Sequence, residues 1–413
     1  MDGTRIITAD FPDGASELGL ELDGARVSRV VIIPMLMRIG EAVVRMDGIG
    51  GVETEEAYQK RGYSRRLMEA AVARMRAGNA ALSTLFGIQD FYHKFGFTTV
   101  GPEYTVTLPL WEQATTTAAL PAGWSARALA PDDLAAVMRL YHLNTRRATG
   151  ALMRHDGGDE SAETLALAEA SPKARQIGQR AWGKLGRVVG EPGQDACRVV
   201  LGDSGEIVAY AWLGQPNWWM GVRREEEPRG FHVAEVMASD PIAAEAVLAV
   251  CRQWAAETRR DHSTVRMAMP PAGPVANAAA YEGGSFLAEY TRAGDFMGRV
   301  LDVGRLVVQM RPEFSARIAA ARLGFWGEVV LRSELGEAAM TVAPEGVTVG
   351  DGTGDDRLVI ELPQGTLARL CLGAFETDDL LARLPVALDP VAEGLLRVLF
   401  PRRAPFIYPV DRF

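Results

Sequence analysis

At 413 residues, 48% hydrophobic and 23% charged, the chain has the composition of a globular protein with room for two or three cores. A formal net charge of -9 argues against general nucleic-acid binding, which needs a concentrated basic surface, and leaves room for cationic substrates. No run of about 18 apolar residues offers a membrane span, and the opening MDGTRIITADFPDG lacks a basic segment followed by an apolar one. No membrane partner and a cytoplasmic location are expected.

In chain order, ARVSRVVIIPMLMRIG and EAVVRMDGIGGVET read as successive strands joined at Gly40. From Ser64 the apolar positions Leu67, Met68, Ala71, Val72 and Met75 recur at helical spacing, and Gly78-Asn79 supplies a stop. AALSTLFGI reads as a buried strand, QDFYHKF as a short helix, and a further strand follows Gly96. Strands alternating with helices predict a mixed α/β sheet that binds its ligand where strand ends meet helix starts. The Thr/Ala/Pro-rich TLPLWEQATTTAALPAGW reads as a linker.

A second α/β unit begins near WSARALAPDDLAAVMRLYHLNT, where Asp132 and Asp133 open a helix with the sign its dipole prefers. Its strands CRVVLGDSGEIVAYAWLG turn back at Asp203-Ser204-Gly205, and FHVAEVMAS precedes the helix PIAAEAVLAVCRQWAAETRR. No glycine and no arginine cluster mark that helix start, so no cofactor is expected there. The pair Trp218-Trp219 is read as packing between domains. After about residue 296 come amphipathic RPEFSARIAAARLGF, short strands, a final helix and the tail PRRAPFIYPVDRF. GDGTGDD places Asp351, Thr353 and Asp355 at alternate positions, but Asp356 and Leu362 fill the sixth and twelfth places of a calcium loop, so a hairpin turn is expected instead. Cys197, Cys251 and Cys371 are scattered, as are His93, His142, His155, His232 and His262; no metal site is expected.

The chemistry concentrates in AYQKRGYSRRL, residues 57–67, which joins a strand to a helix. Cations at a helix start oppose its dipole, so Lys60, Arg61, Arg65 and Arg66 are either a solvated face or the surround of a bound anion. Gly62 permits close backbone approach, and a small Ser64 leaves room beside it. Lys60 and Arg61 are the basic residues expected at the ligand, with Arg66 solvated.

The spacing from Gln59 to Ser64 resembles the Q/R-x-x-G-x-G/A signature of the GCN5-related N-acetyltransferases (GNAT), with Ser64 replacing the usual Gly or Ala. The resemblance implies acetyl-CoA as cosubstrate. It implies pyrophosphate binding by Lys60, Arg61, Gly62, Tyr63, Ser64 and Arg65, and pantetheine binding by the backbone of Val52, Glu53 and Thr54. LFGIQDFYHKFGF resembles the family's second motif, which adds Gly87 and Ile88 to the cofactor set and makes Tyr92 the acid near the thioester sulfur. The alternative use of Tyr92 is to anchor its short helix.

Two such units before a distinct C-terminal module resemble the Eis-like (enhanced intracellular survival) acetyltransferases. That likeness implies two tandem GNAT-like mixed-sheet domains plus a sterol-carrier-protein-2-like α+β domain. The corresponding ranges are 1–112, catalytic; 122–296, degenerate; and 297–413. It also implies a trimer or hexamer, and a terminal carboxylate, here on Phe413, as general base; an α-carboxyl with an ordinary pKa of about 3.3 to 3.7 is ionised near neutrality. Glu53 is the competing base. The implied acceptor is an amine: an aminoglycoside-like molecule, a simpler amine or a peptide lysine. Aminoglycoside-acetylating relatives carry acidic groups near the chain end, where this chain has Asp411 and Arg412. The rival expectation is a non-catalytic acyl-CoA- or lipid-binding scaffold.

Overall fold

A computed structural model describes residues 3–11, 14–110, 120–154, 197–213, 230–258, 263–321, 324–350 and 357–413. His155, Trp218, Trp219, His262 and most of GDGTGDD lie outside them, as do residues 111–119 of the expected linker. The strands are β1 (Thr4–Asp10), β2 (Ser16–Leu22), β3 (Ala25–Ile39), β4 (Ala42–Thr54), β5 (Leu82–Gly87), β6 (Thr98–Gly101), β7 (Glu103–Pro109), β8 (Ser125–Ala128), β9 (Thr149–Leu152), β10 (Cys197–Leu201), β11 (Ile207–Leu213), β12 (Gly230–Ala238), β13 (Thr264–Ala268), β14 (Ser285–Glu289), β15 (Asp295–Val300), β16 (Gly327–Ser333), β17 (Gly336–Ala343), β18 (Gly346–Gly350) and β19 (Leu358–Glu361). The helices used below are α1 (Tyr63–Ala77), α2 (Gln89–Tyr92), α3 (Leu134–Thr145), α4 (Pro241–Thr258), α5 (Pro274–Tyr281) and α6 (Val303–Ala320). None among the described residues is long and apolar enough to cross a membrane.

Three mixed sheets form among the described residues, consistent with the expected α/β class. The first runs β1-β2-β3-β4-β5-β15-β6, with β9 also pairing β3; the second runs β14-β7-β13-β12-β11-β10-β8; the third runs β18-β17-β16-β19. The hairpin at Gly40 forms as expected, with φ +61° at the glycine. The one at Asp203-Ser204-Gly205 forms as well. Ahead of β3, the strands β1 and β2 pair antiparallel with each other, and β2 pairs with β3.

The sheets exchange strands across the expected domain ranges. β7, within 1–112, pairs with β13 and β14 in the second sheet. β15, which straddles residue 296, lies between β5 and β6 in the first. The expected hairpin at GDGTGDD is not formed: β18 and β19 occupy opposite edges of the third sheet, because β19 pairs in parallel with β16 rather than back on β18.

The first sheet is covered on both faces, which is why β5 is buried at all six positions. On one side α1 contributes Leu67, Met68, Ala71 and Met75 to a core shared with Leu85 and Phe97. On the other, Met46, Leu82 and Phe86 pack with Leu306, Val307, Met310 and Phe314 of α6. Each such fully buried side chain contributes about 1.5–3 kcal/mol of burial energy. The central strands are thus packed between two layers.

Candidate active site

In the first sheet a wedge opens between β4 and β5. The two strands pair in parallel only at Met46, Asp47 and Gly48, opposite Leu82, Ser83 and Thr84. Beyond those pairs they diverge, β4 running on to Thr54 and β5 to Gly87. Main-chain groups on the facing edges are left for another partner.

The chain end enters this region. A Cβ on Gly48 would lie 2.5 Å from the Phe413 ring, and one on Gly50 would lie 3.1 Å from the Phe413 carbonyl carbon. Glycine within a strand commonly marks such close approach. The ring of Phe413 stands 6.2 Å from that of Phe86, which stacks on Phe296 at 5.2 Å. Asp411 and Arg412 are buried and paired, Asp411 with Arg154 and Arg412 with Glu103. The Arg412 guanidinium also sits 4.4 Å over the Phe86 ring.

At the far end of β4, α1 starts without a side-chain cap or a first-turn acid. Gly62 is left-handed at φ +83°, as is Lys60 at φ +61°, a non-glycine in a costly conformation. The first intrahelical bond runs from the Arg66 amide to the Gly62 carbonyl, so the amides of Tyr63, Ser64 and Arg65 precede the helical ladder. A Cβ on Gly62 would meet nothing within 4 Å. Amides ahead of the helical ladder, a positive dipole end and open space beside Gly62 make this helix start a candidate anion cradle.

The side chains around it differ from expectation in two cases. Arg61 turns back, donating to the Ala57 carbonyl at 3.0 Å and lying over the Tyr58 ring at 5.3 Å. Arg66 is tied to the Thr4 hydroxyl rather than merely solvated. Lys60 and Arg65 are exposed, while the Tyr63 ring is buried in the core. Ser64 Oγ shares a hydrogen bond with Thr54 Oγ1 at 2.6 Å, and Gln59 donates to the Thr54 carbonyl at 3.2 Å, which ties the helix start to the end of β4.

Tyr92 closes α2. Its ring packs edge-on against Phe91 at 4.9 Å and Phe97 at 6.4 Å. It lies so close to Gly87 that a Cβ there would overlap it at 2.2 Å. Burial pushes the Tyr92 hydroxyl up to about 12, so it remains protonated at neutral pH. Ile88, just before α2, is 57% exposed. Val52 is half-buried with the core beneath α1, and Glu53 points to the opposite face of β4. There Arg29 donates to the Glu53 carboxylate at 3.0 Å and holds its pKa below the usual range.

Residues 10–100 match the family model described as Acetyltransferase (GNAT) domain. The chain carries an acetyltransferase domain of the GNAT superfamily. The matched residues include every site residue expected from the sequence except Phe413. No curated protein matches the sequence. Among solved structures, a GCN5-related N-acetyltransferase from Kribbella flavida superposes with a TM-score of 0.62 at 19% identity, covering 96% of this chain and 88% of its own. A conserved protein of unknown function from Enterococcus faecalis V583, a probable N-acyltransferase, gives 0.66 at 14%, covering 99% and 100%. Eis1 from Mycobacterium abscessus gives 0.55 at 14%, covering 96% and 90%. These likenesses are of fold, and they extend well beyond the GNAT domain into the rest of the chain.

In the second sheet, the helix start that corresponds to the cradle is differently made. Asp240 accepts from the Ala243 amide at 2.9 Å, so a carboxylate of the chain itself caps α4. Sequence reasoning did not single out Gly48, Gly50, Arg154 or Glu235. The run Gly48-Ile49-Gly50-Gly51 inside a strand was the available signal for the first two.

Proposed function

We propose that the chain is an acetyl-CoA-dependent N-acetyltransferase that transfers acetyl directly to an amine, with the Phe413 carboxylate as general base and Tyr92 as general acid. The observation that carries this reading is the Phe413 main chain against Gly50, in the wedge that β4 and β5 open. The acceptor nitrogen attacks the thioester carbonyl, forming a C–N bond and a tetrahedral oxyanion. The carboxylate takes the ammonium proton, the C–S bond breaks, and Tyr92 supplies a proton to the leaving thiolate. The β4 edge beyond Gly48 would bond the pantetheine arm and polarise the carbonyl. The amides of Tyr63, Ser64 and Arg65, with Lys60 and Arg65 around them, would hold the pyrophosphate.

Glu53 is the weaker choice of base, since Arg29 stabilises its ionised form and it faces away from Val52 and Thr54. The ranges 1–112, 122–296 and 297–413 are kept as functional units, with strands shared between the sheets. The C-terminal unit is assigned the task of delivering Phe413 rather than carrying lipid, because a fold likeness does not establish a ligand. The test is thiol release from acetyl-CoA with spermidine, an aminoglycoside, a simple primary amine and a lysine peptide. Turnover with at least one amine, lost in Tyr92→Phe, supports the reading. Acetyl-CoA binding with no release for any amine would establish the scaffold instead.

A further inference from the structure

The final residues are held by a buried ionic cluster whose other members all come from the second unit. Arg154, Glu235 and Asp411 are 2%, 0% and 1% exposed. The Arg154 fork donates to Asp411 Oδ1 at 3.0 Å and Oδ2 at 2.9 Å, and to Glu235 Oε1 at 2.8 Å and Oε2 at 2.5 Å. Tyr210 donates to Glu235 at 2.5 Å, and the Tyr141 hydroxyl lies 3.3 Å from Asp411 Oδ2. The guanidinium also sits 3.6 Å above the Tyr141 ring. Upstream, the Phe406 amide donates to Thr149 of β9 at 2.9 Å, and Gly150 leaves no room between the two main chains.

Three buried ions are a poor means of stabilisation, since an apolar cluster of similar volume often does as well or better. What a bidentate fork supplies is fixed geometry. Asp411 is two residues from Phe413, a reach of at most about 7 Å, so the clamp on one carboxylate sets where the next one stands. Arg412, between them, is paired to Glu103 and stacked on Phe86.

We propose that the second GNAT-like unit serves as the holder of the general base, with Arg154, clamped by Glu235 and gripping Asp411, as the positioning residue for the Phe413 carboxylate. The inference rests on the reading of Phe413 as base. It assigns a task to a unit whose own helix start is capped by Asp240.

The experiment compares the full chain with Asp411→Asn, each with and without one glycine added after Phe413. Thiol release is measured with acetyl-CoA and the amine panel, and carboxypeptidase A release of Phe413 is followed in the unextended chains. In Asp411→Asn, Phe413 release speeds by about tenfold or more, because cleavage tracks the opened tail. Turnover falls by about tenfold or more, with the KM for acetyl-CoA within about twofold of wild type. In the extended chain the same substitution costs nothing further, because both changes act through one group. Wild-type release and turnover in Asp411→Asn overturn the inference. So does an equal loss from the substitution with and without the glycine, which marks a purely structural part. An added glycine that leaves turnover unchanged removes the base reading itself, and the positioning inference falls with it. Glu235→Gln, which loosens the clamp on Arg154 and leaves Asp411 in place, carries the same comparison if Asp411→Asn does not fold.

Discussion

Gly48→Ala perturbs the seat of Phe413 against β4. A Cβ there would lie 2.5, 2.6 and 2.8 Å from three atoms of the Phe413 ring. Ordinary carbon contacts are about 3.5–4.0 Å, so the ring must retreat by about 1 Å or more. All three atoms belong to the ring packed near Phe86, so the ring moves as a unit and the residue that carries it is displaced with it. Overpacking of this kind costs about 1–3 kcal/mol, less than the usual stability of a folded domain. A misplacement of about 1 Å at reacting groups costs about 10²-fold in rate. The variant is therefore expected to fold, bind acetyl-CoA as wild type does, and lose about two orders of magnitude in kcat. Urea unfolding and steady-state thiol release measure the two quantities separately. A folded Gly48→Ala with wild-type kcat would refute the claim that Phe413 acts from its place against β4.

Tyr92→Phe keeps the ring that packs on Gly87 and removes the acid; kcat falls by about 10²-fold with little change in stability. Because burial pushes Tyr92 up to about 12, its ionisation removes no activity below about pH 11, and a pH-rate profile with a Tyr92-dependent limb near pH 9 would contradict this. Glu53→Gln changes kcat by less than about threefold and leaves the acid side of the profile in place, since an exposed pair with Arg29 contributes little. Gly62→Ala strains a left-handed residue by about 1–2 kcal/mol at the cradle and raises the KM for acetyl-CoA by about tenfold while sparing kcat.

The parts of the site that lie close in sequence were legible. Helical spacing from Leu67 to Met75 and the glycine before it located α1 and its uncapped start, and QDFYHKF located Tyr92 on its short helix. Parts made by distant segments were not. β7 and β15 read equally well as ends of their own units, and only sheet pairing reveals that each completes the other unit's sheet. Asp411 and Arg412 look like a polar chain end until Arg154 and Glu103 are brought to them by folding. Arg61 was expected at the ligand on its charge and its place in the motif, yet the nearby Ala57 carbonyl and Tyr58 ring offer its guanidinium a local partner. GDGTGDD carries hairpin residues, but the parallel pairing of β19 with β16 outweighs local turn preference.

The central claim is that a main-chain carboxylate does the work of a side-chain base. Replacing the Phe413 carboxylate by a carboxamide, through ligation of a synthetic C-terminal peptide, keeps the ring, the length and the contacts with Gly48 while removing the proton acceptor. The account predicts a loss of kcat of about 10²-fold or more with unchanged acetyl-CoA binding. Wild-type turnover by the carboxamide protein would contradict it.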